Sequence, residues 1–216
     1  MCIISIKKKG IKFQSEKIVK TMCKNNSHGF SMVVSVDGKK PRIFKTLDMT
    51  AFLQAYRTMV RSNDYRKTSV FIHARIKTHG TQRIENCHGW RSDGLVFAHN
   101  GILSIENRND MTDSETFFRD IFAPIYRLGG WKMAEKAINA VIGTSKFVFM
   151  DEDGEVRHYG KYIEADGVLY SNDSYTEREW CYPTAGRWGG TWNTNGYYPK
   201  TKSSAFDWNE DFLTQE

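Results

Sequence analysis

The sequence predicts a layered α+β fold, in which helices pack on antiparallel sheets. Its 216 residues correspond to one domain, and hydrophobic residues make up 40% of them, which is enough for a core. Segments with strand character occur in pairs joined by short turns, whereas the helical segments fall into two separate groups. Because strands and helices do not alternate regularly, the pattern favours antiparallel pairing over a parallel sheet.

The first third of the chain contains two predicted helices among four predicted strands. Apolar residues repeat at helical spacing after Ser15, a suitable helix cap, and again after Asp48 or Thr50, either of which can cap the second helix. Asp37-Gly38 lies between two β-rich segments and predicts a tight hairpin. The elements predicted in this part are strands at 2–6, 30–36, 41–46 and 69–74 and helices at 14–24 and 48–60.

The chain continues to residue 171 with a second group of helices between further strands. An acidic first turn after Thr112 suits a helix N-terminus, and Gly129-Gly130 predicts the end of that helix. Asn100-Gly101 predicts a turn directly after a strand. The elements predicted here are strands at 95–98, 146–150, 155–160, 162–164 and 168–171 and helices at 113–128 and 132–141.

Composition changes near the end of the chain. We therefore predict a domain at residues 2–182, followed at 183–216 by an irregular tail rich in Gly, Trp, Tyr and Asn. No apolar run exceeds four residues, and the charges near the N-terminus follow the apolar stretch, unlike a secretory signal. We expect a cytoplasmic protein without a membrane span. Its four cysteines form no CxxC pair and are expected to be reduced.

Charge and glycine patterns limit the expected partners. The net charge is +6, and residues 1–30 alone hold seven lysines against Glu16. Such a segment either contacts nucleic acid or forms the solvated face of a helix, and the sequence leaves both interpretations open. No cofactor is expected, because no nucleotide-binding glycine pattern is present. No metal is expected either, because the histidines and the cysteine between residues 73 and 88 lack zinc-site spacing.

Cys2 is a candidate nucleophile because of its position. Removal of the initiator methionine would leave a thiol and an α-amine on one residue, and an amine with a pKa of about 8 can accept the thiol proton. The alternative is that Cys2 is only a small apolar residue of a first strand. The position alone does not decide between these two interpretations.

Four segments downstream favour the nucleophile. Residues 73–80 read HARIKTHG, residues 86–88 NCH, residues 96–103 VFAHNGIL and residues 112–115 TDSE. In this order, behind Cys2, they resemble the motifs of the class II glutamine amidotransferases, in which an N-terminal cysteine is the nucleophile. The glutaminase domain of glucosamine-6-phosphate synthase is a known example. The resemblance covers about residues 2–172 and leaves the tail outside.

The resemblance implies a four-layer α/β/β/α sandwich of the Ntn-hydrolase type, with two packed antiparallel sheets. It also implies catalytic roles for three residues. Cys2 attacks the amide carbon of glutamine, and Asn100 and Gly101 donate hydrogen bonds to the oxyanion that forms. Glycine suits the second donor position because the backbone must approach the substrate closely.

The same resemblance implies how glutamine is bound. Arg75 offers a planar guanidinium that matches an α-carboxylate, and Asp113 is a partner for the α-ammonium. Thr78, His79 and Gly80 line the pocket through backbone and packing. Taken singly, Arg75 could be a surface arginine and Asp113 a helix cap, so the assignment depends on the whole set.

Three residues depart from the family pattern. Ile3 stands where glycine commonly follows the nucleophile, Ile76 where an aromatic residue is frequent, and Gly89 where proline is frequent. These differences are expected to change the shape of the glutamine pocket. They leave the catalytic roles in place.

The expected function is hydrolysis of the side-chain amide of glutamine, or of a related γ-glutamyl amide, through a Cys2 thioester. The residues after 172 are expected to be too few for a second catalytic domain, so the protein is expected either to deliver ammonia to a separate acceptor enzyme or simply to hydrolyse the amide. The alternative is a catalytically idle protein of the same fold. Such a protein would use its basic N-terminal region and aromatic tail to bind nucleic acid or a protein partner.

Overall fold

Two antiparallel sheets form the centre of the structure, a computed structural model that describes residues 2–77, 82–106 and 111–177. The strands in these ranges are β1 (Ile3–Lys7), β2 (Phe30–Val36), β3 (Arg42–Thr46), β4 (Thr68–Ala74), β5 (Trp90–Ser92), β6 (Leu95–Asn100), β7 (Lys146–Met150), β8 (Val156–Tyr159), β9 (Ile163–Ala165) and β10 (Val168–Tyr170). The first sheet has the order β3-β2-β4-β1-β10-β9, and the second has the order β5-β6-β7-β8.

Helices cover the outer face of each sheet. Their bounds are α1 (Glu16–Asn25), α2 (Met49–Ser62), α3 (Asp113–Thr116) and α4 (Ala123–Val141), with a π-helical segment at Phe117–Phe122 and a short 3₁₀ turn at Ile84–Asn86. Helices α1 and α2 share one buried cluster with the first sheet, whereas α4 and the π-helical segment share another with the second sheet. A third cluster fills the space between the sheets, with Ile4, Phe71, Val96 and Val148 among its members. The predicted four-layer α/β/β/α sandwich is therefore confirmed.

Strand β1 lies inside the first sheet, between β4 and β10. Its side chains alternate between two cores: Ile4 and Ile6 face the second sheet, while Ile3 faces the helices. All five residues of the strand are buried, including the polar Ser5 and Lys7, as expected for a strand that is covered on both faces. This placement fixes Cys2 at the end of an interior strand.

Local signals for turns and caps are confirmed. Asp37 and Gly38 have φ values of 56° and 71°, as a tight hairpin turn between β2 and β3 requires. Ser15 caps α1 by accepting a hydrogen bond from the Ile18 amide. Of the two caps considered for α2, Asp48 is the one used, since its carboxylate accepts from the amides of the first turn.

Two features differ from the predicted elements. No strand is predicted at 90–92, but β5 pairs with β6 through an Asp93-Gly94 turn that has positive φ at both residues. Three residues are too few to show an alternating pattern. The helices predicted on either side of Gly129-Gly130 lie in one helical stretch, interrupted where Gly130 adopts φ 58° and ψ −159°. The predicted tail at 183–216 lies outside the described residues, so the domain boundary stays a prediction.

Candidate active site

The predicted site residues gather at one edge of the sandwich, where β1 begins and β4 and β6 end. In the β1–β4 ladder Ile3 lies opposite Ala74, so the next pair outward is Cys2 and Arg75. Both belong to the alternating positions that face the space between the sheets, as do Ile4 and Phe71 further along. The register of two central strands therefore brings Cys2, the predicted nucleophile, close to the Arg75 cation.

Cys2 is held at both its backbone and its side chain. The Asn172 side-chain amide donates to the Cys2 carbonyl oxygen at 2.7 Å, and the Cys2 thiol lies 3.5 Å from the Ile76 carbonyl oxygen. Burial raises the pKa of this thiol, while a backbone hydrogen bond at Ile76 and the charge of Arg75 oppose the increase. The thiol therefore needs a base to become a nucleophile.

Arg75 is an internal cation, since only 5% of its surface is exposed. Its backbone extends the β2–β4 ladder: the Arg75 amide donates to the Gly29 carbonyl, and its own carbonyl accepts from the His28 amide, both at 2.8 Å. Its charge opposes the increase in the Cys2 pKa that burial causes, and it contributes to the lowered pKa of His73. These observations exclude the surface-arginine alternative.

Asn100 ends β6 with its side chain in the space between the sheets, where it is 3% exposed. Its amide nitrogen donates to the Ser171 hydroxyl oxygen at 2.7 Å, and the same oxygen accepts from the Ile4 amide at 2.8 Å. One serine therefore links Asn100 of the second sheet to β1 of the first. Asn100 and Cys2 consequently lie at the same edge.

Gly101 continues directly from Asn100 with φ 148°, a conformation that side chains rarely adopt. A Cβ atom here would clash with the Ser145 side chain and lie 2.9 Å from the His99 Nε2 atom. Gly101 itself is exposed at the surface of the site. Its backbone is thus accessible to a ligand, as an oxyanion donor must be.

Asp113 begins α3, but it does not cap it. Thr112 is the cap, because its hydroxyl accepts from the Glu115 amide at 3.2 Å. The Asp113 carboxylate accepts from the Leu103 amide at 2.8 Å and from the Ser114 hydroxyl at 3.3 Å. These bonds place the carboxylate beside the segment that follows Asn100.

Three histidines form a buried stack that the sequence did not predict. The His73 and His88 rings lie 3.8 Å apart and almost parallel, and the His88 Nδ1 atom accepts from the His99 amide at 3.1 Å. Burial lowers the pKa of His73 and His88 well below 6.5 and that of His99 to about 4. The stack is therefore neutral at pH 7.

No metal cluster is formed by these histidines. Across residues 2–77, 82–106 and 111–177, no group of three or more His, Cys, Asp and Glu side chains is arranged to hold a metal ion. The three cysteines in these ranges, Cys2, Cys23 and Cys87, are free thiols. No helix in the described part of the chain is long and apolar enough to span a membrane.

Two groups of residues singled out from the sequence remain: one lies outside the described residues, and the other has contacts within the protein. Thr78, His79 and Gly80 lie outside the described residues, so their place in the pocket stays a prediction. In the basic N-terminal segment, Lys7 is buried and donates to two backbone carbonyls, and Lys9 pairs with Glu155 at 3.3 Å. The basic surface is therefore smaller than the lysine count suggests.

The segment after β10 supplies contacts that sequence motifs did not assign to the site. Ser171 contacts Asn100, and Asn172 contacts Cys2, at separations of 71 and 170 residues. A second asparagine, Asn25, donates to the Ser174 carbonyl at 2.9 Å and so ties this segment to the end of α1. The only sequence signal was that the family resemblance extends to about residue 172.

The sequence pattern of the glutamine amidotransferases class-II matches residues 8–156. Because this match spans more than half of the chain, the protein belongs to the class II glutamine amidotransferase family. Cys2 precedes the matched residues, so its role depends on the structure around it. No curated protein matches this sequence.

Three solved structures are similar to this chain. Glutamine phosphoribosylpyrophosphate amidotransferase from B. subtilis shares 16% identity over 79% of this chain and 42% of its own, with a TM-score of 0.48. A glutamine aminotransferase class-II domain protein from Silicibacter pomeroyi shares 14% identity over 79% of this chain and 87% of its own, with a TM-score of 0.42. An allosteric regulatory enzyme of purine biosynthesis shares 20% identity over 70% of this chain and 36% of its own, with a TM-score of 0.46. This chain thus spans less than half of the length of the first and the third of these proteins.

Proposed function

We propose that this protein hydrolyses the side-chain amide of glutamine, or of a related γ-glutamyl amide, with Cys2 as nucleophile. Family membership supplies the class of chemistry. The observation that carries the proposal is the convergence of Cys2, Arg75 and Asn100 at one edge of the sandwich. These residues provide a nucleophile, a cation and an amide donor, which are parts that acyl transfer requires.

The reaction begins with transfer of the thiol proton to the α-amine that Cys2 carries once Met1 is removed. A base is needed because burial raises the pKa of the thiol. The thiolate attacks the amide carbon, and Asn100 and the Gly101 amide stabilise the oxyanion, at about 3 kcal/mol for one donor. The α-ammonium returns the proton to the leaving nitrogen, and ammonia departs. Water then attacks the thioester, which releases glutamate and regenerates the thiol.

Recognition of the amino acid end of glutamine falls to Arg75 and Asp113. The Arg75 guanidinium is already buried, so most of its desolvation cost is met when the protein folds. Binding of the α-carboxylate then adds charge-assisted hydrogen bonds. The Asp113 carboxylate lies near Leu103, beside the predicted oxyanion donors, and is half-buried. We propose that the released ammonia passes to a separate acceptor enzyme.

A glutamine-mimicking diazoketone tests the proposal, because the carbon next to its carbonyl alkylates a thiolate that attacks at the amide position. In protein from which Met1 has been removed, we expect one adduct per chain on the Cys2 peptide, measured by intact mass and peptide mapping. Excess glutamine should slow the labelling, whereas leucine should not. Labelling only at Cys23 or Cys87, or none at all, would contradict the assignment.

Replacing Arg75 with lysine is expected to raise KM for glutamine by roughly 10- to 100-fold, because an ammonium cannot form both parallel hydrogen bonds to the carboxylate. Steady-state kinetics of glutamate release measure the change. Arg57→Lys is the matched control: Arg57 also binds a carboxylate, that of Glu16, but on the protein surface. An unchanged KM in Arg75→Lys would place Arg75 outside the glutamine pocket.

A further inference from the structure

The side-chain amide of Asn100 has one atom without a partner. Its oxygen, Oδ1, is buried and accepts no hydrogen bond from the described residues, while its nitrogen faces the Ser171 hydroxyl oxygen at 2.7 Å. A buried carbonyl oxygen without a donor destabilises the folded state, because it has lost its hydrogen bonds to water and gained none in return. Such an atom at a candidate oxyanion site requires an explanation.

Ser171 is fixed by β1 on its other side. The Ile4 amide donates to the Ser171 hydroxyl oxygen at 2.8 Å, and the Ser171 amide donates to the Ile4 carbonyl at 2.9 Å. A serine hydroxyl has one proton to donate as well as two lone pairs that accept. With one lone pair used by Ile4, the hydroxyl can still donate its proton toward Asn100.

We propose that Ser171 is a positioning residue of the oxyanion site, an inference that rests on the proposed function. In the catalytically competent arrangement, the Ser171 hydroxyl donates to Asn100 Oδ1. The Asn100 amide is then rotated, so that its nitrogen lies where the unpaired oxygen lies in this structure. Rotation of the amide by 180° exchanges two atoms of nearly equal size, so it needs no repacking. The oxygen gains a donor, and the nitrogen becomes available to the oxyanion.

The resulting chain of hydrogen bonds runs from the Ile4 amide through the Ser171 hydroxyl to the Asn100 oxygen. Each bond in such a chain polarises the next, which strengthens the outermost donor. The neighbouring residue, Asn172, holds the Cys2 carbonyl at 2.7 Å. Two consecutive residues, Ser171 and Asn172, therefore contact Asn100 and Cys2.

Ser171→Ala removes the donor to Asn100 and is expected to lower kcat by roughly 10- to 100-fold. This decrease should not exceed the one that removal of an oxyanion donor itself would cause. KM should stay near the wild-type value, because the proposed partners of the α-carboxylate and the α-ammonium are Arg75 and Asp113 rather than Ser171. Ser171→Thr keeps the hydroxyl and should restore most of kcat. Ser174→Ala, a buried serine of the same segment, is the matched control and should retain the wild-type kcat.

A double-mutant cycle separates positioning from general stability. If Ser171 acts through Asn100, adding Ser171→Ala to Asn100→Ala should lower kcat no further. Equal losses in both backgrounds, or a Ser171→Thr variant as slow as Ser171→Ala while both remain folded, would overturn the inference. Failure of the proposed function is distinguishable, because wild-type protein would then show neither turnover nor diazoketone labelling of Cys2.

Discussion

Replacing Cys2 with alanine is expected to reduce glutamine hydrolysis by about 10⁴-fold or more, because removal of a covalent nucleophile leaves only binding and oxyanion stabilisation. The fold should persist, since Cys2 precedes β1 and its carbonyl contact with Asn172 does not need the thiol. Glutamate release measures the activity, and thermal unfolding measures the fold. Both are compared with wild-type protein from which Met1 has been removed.

Cys23→Ala is the control for this experiment. Its thiol lies in the core on α1, and burial raises its pKa far above the range in which it could act as a nucleophile. This variant should keep the wild-type turnover and lose only stability. Turnover near wild type in Cys2→Ala would move the nucleophile elsewhere and remove the thioester mechanism.

A steep loss of stability in mild acid is the second large effect that we expect. His73, His88 and His99 are buried and neutral in the folded state, with pKa values well below 6.5, whereas they have ordinary pKa values when unfolded. Below about pH 6.5 the unfolded state therefore binds more protons than the folded state, so stability falls as pH decreases. Each histidine lowers the free energy of unfolding by at most about 1.4 kcal/mol per pH unit, so the three together lower it by at most about 4 kcal/mol per pH unit.

Urea unfolding at a series of pH values between 8 and 4.5 measures this effect. The free energy of unfolding should be nearly constant above pH 7 and should fall with increasing slope below about pH 6.5. Glu16 and Asp93 have lowered pKa values and so titrate below this window. His88→Gln, which cannot take up the proton, should reduce the slope. A flat profile between pH 7 and 5 would contradict the neutral histidine stack.

Local chemistry was predictable from the sequence because it depends on neighbouring residues. The Asp37-Gly38 turn, the Ser15 cap and the Gly130 interruption each follow from a backbone preference of one or two residues. The layered α+β class was likewise predictable, because the spacing of apolar residues depends on the local helix or strand. Strand β5 is the exception, since its pairing with β6 rather than its own composition makes it a strand.

The site was predictable only where motifs carry it. Cys2, Arg75 and Asn100 lie in segments that resemble the family, and the structure brings them to one edge. Ser171 and the histidine stack could not be found this way, because their roles arise from contacts between distant strands. No periodicity or spacing in the chain encodes such contacts.

The central position of β1 also determines when the site can form during synthesis. Strand β1 is synthesised more than 160 residues before one of its neighbours, β10, and before Asn172, whose side chain holds the Cys2 carbonyl. A nascent or truncated chain that stops before residue 168 therefore lacks both the strand that flanks β1 and the clamp on Cys2. The contacts that hold Cys2 in place can thus form only late, after most of the sandwich has been synthesised.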